Sequence, residues 1–174
     1  VKLSDDHFTL FGLPQRQALD RALLDARRRE LQAQVHPDRF AAEGAAAQRV
    51  AMQWAVRVNE AYQVLKDPLA RAAYLCAQRG VPVDAERNTA MPAEFLVQQM
   101  QWREALEEAA TPEHVQQLDA QVARDECAGL ARLATLLDDD SDTAAAAAQV
   151  RALMFLARFR EDIARRVDAF EERR

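Results

Sequence analysis

The chain holds little that breaks a helix: only 4 glycines and 6 prolines among 174 residues. Instead it is rich in Ala, Leu, Arg and Glu, the residues that cost least in a helix interior. Cysteine is scarce too. Cys76 and Cys127 lie far apart and neither belongs to a C-x-x-C pair, so the spacing of a zinc site is missing. Both read as reduced, mostly buried thiols. No apolar run approaches the roughly 20 residues that cross a bilayer, and no membrane is expected as partner. No charged stretch followed by an apolar core opens the chain, so no secretory leader is expected and the cytoplasm is the expected compartment. The net charge of −5 argues against nucleic acid as partner, since phosphates call for a clustered positive footprint. The length suits one large domain or two small ones.

Phe8, Leu10, Phe11 and Leu13 form a short apolar opening closed by Gly12 and Pro14. Asp20 can cap a helix running to about Val35, with Leu24, Leu31 and Val35 on one face. His36-Pro37-Asp38 stops that helix, because the residue before a proline is pushed out of the helical region. A second long helix is predicted from about Ala46 to Lys66, striped by Ala51, Trp54, Ala55, Val58, Ala61, Tyr62 and Leu65. Asp67-Pro68 ends it, and a short helix carries Tyr74 and Leu75. Residues 78–92 contain Gly80, Pro82 and Pro92 without periodicity and read as a linker. Three further helices follow, with Thr111-Pro112 as a start signal and Asp138 to Asp142 as an acidic turn. Short turns between three amphipathic helices make an antiparallel bundle. The fold class is therefore all-α.

The sharpest local feature is His36-Pro37-Asp38, where proline fixes its own φ and presents two polar side chains at a rigid turn. Read alone, it is a loop between helices. Its surroundings add weight: an Arg-bearing helix upstream, and downstream a helix ending Asn59-Glu60-Ala61-Tyr62-Gln63-Val64-Leu65-Lys66-Asp67-Pro68, then Arg71 and Tyr74.

In this order of motifs the first half, about residues 5–76, resembles the J-domain family. The resemblance implies a helical hairpin whose His-Pro-Asp loop docks on a DnaK-class chaperone and stimulates its ATP hydrolysis. His36, Pro37 and Asp38 match that motif, and Arg29, opposite Leu24, Leu31 and Val35, matches a basic contact position. The chain departs from generic members in places. Asp25 and Glu30 dilute the basic face, Arg28 stands where an aromatic is usual, and Val35 replaces a tyrosine before the loop. A specialised chaperone, relying less on charge, fits these departures better than a general one.

The opening HFTLFGLP, the stretch EFLVQQMQWREALEE and the whole layout resemble the HscB-type J proteins of bacterial iron–sulfur cluster assembly. The implied layout is a J domain over residues 1–77, a linker over 78–92 and a C-terminal three-helix domain over 93–174. The implied partners are an HscA-type chaperone and an IscU-type iron–sulfur scaffold, in the bacterial cytoplasm.

The helical wheel supports a binding role for the second half. Phe95, Trp102, Leu106 and Ala109 form one tight stripe, the natural core face. Leu96, Val97 and Met100 form a second stripe bordered by Gln101 and Glu104. In the last helix Leu153, Leu156, Ile163 and Val167 face the core while Phe155 points elsewhere. A second apolar stripe rimmed by polar groups is either a binding surface or packs on a neighbouring element. By resemblance, Leu96, Val97, Met100, Gln101, Glu104 and Phe155 form the scaffold-binding patch.

No Gly-rich phosphate loop, Ser/His/Asp set or Cys/His nucleophile pair occurs, and His7 and His114 lack ligand partners at metal spacing. The chain reads as a non-catalytic co-chaperone with no catalytic residue, metal site or cofactor. Two alternatives stay open: a J-domain adaptor for another client, and a small helical enzyme using His36 and Asp38 as an acid–base pair.

Overall fold

The computed structural model describes residues 2–172, with only the backbone described at Pro37 and Ala41. Val1, Arg173 and Arg174, which fall within the expected domain limits, lie outside the described residues. Among the described residues there are seven α-helices and no strand. The chain divides into two compact units, Val1–Leu75 and Cys76–Arg174.

In the first unit, α1 (His7–Phe11) is short and depends on its caps. Asp6 accepts the amides of Phe8 and Thr9 at 2.9 and 3.1 Å. Gly12, at φ 63°, closes the helix in the left-handed conformation that glycine adopts without strain. Helix α2 (Arg21–Val35) starts at Asp20, whose carboxylate accepts the Ala22 amide at 2.8 Å. A 3₁₀ turn over Pro37–Glu43 leads to α3 (Ala45–Lys66). Together α2 and α3 form the helical hairpin. Phe8, Phe11, Leu24, Val58, Ala61 and Leu65 are buried between α1, α2 and α3. Burying each large side chain stabilises the unit by roughly 1.5–3 kcal/mol before chain entropy is counted.

The motif residues after the hairpin have structural partners. Arg71 is buried on α4 (Pro68–Gln78) and donates to the carbonyl oxygens of Gln17 and Leu65 at 2.9 and 2.5 Å. Tyr74 stacks on His7, with ring centres 4.2 Å apart and planes 5° from parallel. Its hydroxyl accepts the His7 amide at 3.1 Å. Burial, followed by the nearby Arg57 charge, holds the His7 imidazole below its ordinary pKa.

The second unit is an antiparallel three-helix bundle of α5 (Ala93–Glu108), α6 (Pro112–Ala134) and α7 (Thr143–Glu171). Val115, Val122, Leu133, Val150, Leu153 and Ile163 are buried in its core. Gly129 permits a close approach of α6 and α7: a Cβ there would stand 2.9 Å from Leu153 Cδ2. Two details depart from the sequence reading. The acidic turn begins inside a π-helical turn, Thr135–Asp139, which extends α6 and buries Leu136 and Leu137. Asp142 is then the residue that caps α7, accepting the Ala145 amide at 3.0 Å. Cys76 is buried as expected, but Cys127 is exposed, because its position on α6 faces away from the core residues Val122 and Leu133.

Candidate functional site

The first candidate site is the turn that joins the hairpin. His36 ends α2 with ψ 126°, the extended value that a following proline favours. The Arg39 amide donates to the His36 carbonyl at 3.0 Å, and the Arg39 guanidinium donates to the Ala33 carbonyl at 2.9 Å. Those bonds satisfy carbonyl oxygens that the end of α2 leaves open. The Asp38 amide donates to His36 Nδ1 at 3.3 Å. The His36 and Asp38 side chains are 59% and 89% exposed, with the Asp38 carboxylate 3.6 Å from Nδ1. The Pro37 side chain lies outside the described side chains. A projecting pair of this kind lacks the concave enclosure of a small-molecule site and suits contact with another protein.

Arg29 is exposed on α2. Behind it, Arg28 does what the sequence left unexplained. It is half-buried, and its guanidinium lies 4.0 Å from the centre of the Tyr62 ring. A cation on an aromatic face thus replaces the aromatic usual at this position. Val35 is smaller than a tyrosine. It lines an apolar cleft of about 540 Å³ with Leu31, Phe40, Val50 and Trp54.

The second candidate site is on α5. Its inner face is set by an aromatic ladder. Trp102 is buried, meeting Phe95 edge to face at 5.9 Å and stacking near Phe159 at 6.3 Å. Its outer face carries Leu96, Val97 and Met100, which are 41%, 60% and 70% exposed. Gln101 and Glu104 are exposed on the same face. Phe155, half-buried on α7, meets Phe95 edge to face at 5.8 Å. The structure therefore brings five of the expected residues together on α5, with Phe155 at their border. The border has a member that the sequence reading missed: the Arg103 guanidinium lies 5.1 Å from the Phe155 ring centre. Its signal was its place beside Leu96 on the helical wheel.

Helix α5 is held at both ends by arginines of α7. Buried Arg151 donates to the carbonyls of Ala90 and Val83 at 2.5 and 2.9 Å. Arg166 donates to the Ala109 carbonyl at 3.1 Å. The first clamp draws part of the 78–92 segment onto α7, and Arg79 adds a bond to the Leu137 carbonyl at 2.7 Å. A rigid helix with an apolar outer face is what the geometry offers a partner.

Among the described residues, no group of three or more His, Cys, Asp or Glu side chains could hold a metal ion. Nor is any described helix long and apolar enough to cross a membrane.

Comparison with known proteins finds relatives along the length of the chain. Residues 91–164 match the family model described as "HSCB C-terminal oligomerisation domain". The chain is 55% identical to the "Co-chaperone protein HscB homolog" of Burkholderia multivorans, covering 98% of this chain and 99% of that protein. Among solved structures it matches "Chaperone HscB from Vibrio cholerae" with a TM-score of 0.84 and 39% identity, covering 95% of this chain and 99% of that one. It also shares the fold of human co-chaperone protein HscB, with a TM-score of 0.83 at 24% identity over 94% of this chain and 83% of that one.

Proposed function

Because the chain belongs to the HscB family of co-chaperones, we propose that it carries an IscU-type iron–sulfur scaffold to an HscA-type chaperone and stimulates that chaperone's ATPase. The observation that carries this reading is the outer face of α5: Leu96, Val97 and Met100 are exposed on a helix whose opposite face is anchored in the core by Trp102. Exposed apolar side chains on a clamped helix favour a partner over packing within the fold. Gln101 and Glu104 rim the face, and Phe155 extends it onto α7. His36, Pro37 and Asp38, with Arg29, make the chaperone contact.

In this reading the tasks divide into a chaperone-contacting J domain over residues 1–77, a linker over 78–92 and a scaffold-binding domain over 93–174, in the bacterial cytoplasm. The chain itself catalyses no reaction; it changes the ATPase cycle of its partner. The test is a pull-down from a cytosolic extract, followed by ATPase assay. Recovery of both a scaffold and a DnaK-class chaperone supports the reading, and turnover of a substrate by the chain alone contradicts it.

The description of the matched family model favours a second reading, self-association through residues 91–164. The large apolar residues exposed there are Leu96, Val97 and Met100, so a second copy would compete with the scaffold for one face. Sedimentation across a concentration series, with and without scaffold, tests it.

A further inference from the structure

Helix α2 carries four arginines, Arg21, Arg27, Arg28 and Arg29, and two acids, Asp25 and Glu30. Three of the four cations already have partners. Arg21 Nε donates to Asp25 Oδ1 at 2.9 Å, and its Nη2 donates to the Tyr62 hydroxyl at 2.9 Å. The hydroxyl in turn donates to Asp25 Oδ1 at 2.8 Å, closing a triangle across the hairpin. The Tyr62 hydroxyl, and after it Arg21, hold the Asp25 carboxyl below the usual carboxylate range despite some desolvation. Arg27 donates to Glu30 Oε2 at 3.1 Å. Arg28 lies over the Tyr62 ring, 4.0 Å from its centre, with Arg21 and Lys66 also over it at 5.5 and 5.7 Å. Among the described residues, no ion pair or hydrogen bond holds the Arg29 guanidinium.

We propose that Asp25, Glu30 and Tyr62 determine which chaperone the hairpin accepts, by engaging three of the four α2 arginines and leaving Arg29 as the cation offered to the partner. The inference rests on the chaperone-docking reading above and adds its specificity. Each exposed pair contributes little to stability. Its effect is on the field: a neutralised cation no longer steers an acidic surface into place, and steering scales with local net charge. A chaperone selected by a dense basic face is thereby disfavoured. One that reads the His36-Pro37-Asp38 turn and a single arginine is not. Tyr62 is a positioning residue in this scheme, since one ring and one hydroxyl hold Arg21 and Arg28 away from the partner.

The experiment titrates full-length protein against ATP hydrolysis by an HscA-type and, separately, a general DnaK-type chaperone, at about 0.05 and about 0.2 M salt, over which the screening length roughly halves. Glu30→Gln and Asp25→Asn, checked for helix content, should lower the half-maximal concentration about two- to fivefold at low salt. The maximal stimulation should not change. The gain should vanish at high salt and be larger with the DnaK-type chaperone. Arg29→Gln should raise the half-maximal concentration on the order of tenfold, while the paired change Arg27→Gln with Glu30→Gln, which keeps the local net charge, should leave it within about twofold. Unchanged or weakened half-points for folded Glu30→Gln and Asp25→Asn would overturn the masking proposal. So would equal losses in the Arg27→Gln, Glu30→Gln double variant and in Arg29→Gln. Both results leave the docking reading standing. Failure of the unsubstituted protein to stimulate either chaperone overturns the docking reading, and this proposal with it.

Discussion

The turn after α2 and the outer face of α5 both face solvent, but by opposite routes. At the turn, backbone hydrogen bonds from Asp38 and Arg39 hold polar side chains in place, so what is presented is geometry. On α5, core packing on one side and arginine clamps at each end hold apolar side chains outward, so what is presented is area. A surface built on geometry fails when one atom changes. A surface built on area fails in proportion to what is removed.

Substitutions can break this contrast, and the largest effect belongs to neither surface but to the support beneath α5. Trp102→Ala should cost about 3–5 kcal/mol of stability through the lost ladder, read as a lower melting temperature. If the second unit melts unchanged, the assignment of inner and outer faces on α5 is wrong. At the turn, His36→Gln or Asp38→Asn should abolish stimulation of the chaperone's ATPase while helix content by circular dichroism stays constant. Loss of helix instead would make the turn a structural element.

Leu96→Ala, Met100→Ala and Phe155→Ala should each weaken scaffold binding about five- to thirtyfold, the effect of losing about 1–2 kcal/mol. Calorimetric titration reads the affinity, and melting should change little. Phe155, half-buried against Phe95, should lose more stability than the other two. Arg151→Met tests the clamp. It leaves the Ala90 and Val83 carbonyls without that donor, so stability should fall by about 1–3 kcal/mol. Scaffold affinity should fall with it as the start of α5 loosens.

The smallest effect is a pH dependence. His7 is held below its ordinary value near 6.5, mainly by burial. The unfolded chain therefore takes up the proton first as pH falls. Stability from neutral His7 is fully present above the unfolded value and is lost as pH drops through the lower, folded one. Melting of the first unit should decline between about pH 7 and 5, and His7→Phe should flatten that slope.

What was legible in the sequence depended on the range of the signal. Asp20, the Pro37 break, Asp67-Pro68 and Thr111-Pro112 act within one turn of helix, and the structure places helix boundaries beside each of them. The inner and outer faces of α5 were legible because the three-and-four spacing of Phe95, Trp102 and Leu106 is local too. What was missed joins residues distant in the chain. Arg151 reaches 61 residues back to Ala90 and 68 back to Val83, and no pattern within α7 announces it. Arg28 read as a misplaced charge until the fold brought Tyr62 beneath it. Helix α1 was read only as an apolar opening, because five residues are too few to show a period; the Asp6 and Gly12 caps set its limits.

The central claim is that the two surfaces act in one coupled task, and single-turnover ATP hydrolysis by an HscA-type chaperone tests it most directly. Hydrolysis is followed with full-length protein and an IscU-type scaffold, added singly and together. Added together, they should accelerate hydrolysis by more than the product of their separate effects. Met100→Glu should remove that excess while keeping the stimulation by the protein alone, and Asp38→Asn should remove both. Excess stimulation that survives Met100→Glu in a folded protein would contradict the account, because scaffold capture would then not run through the outer face of α5.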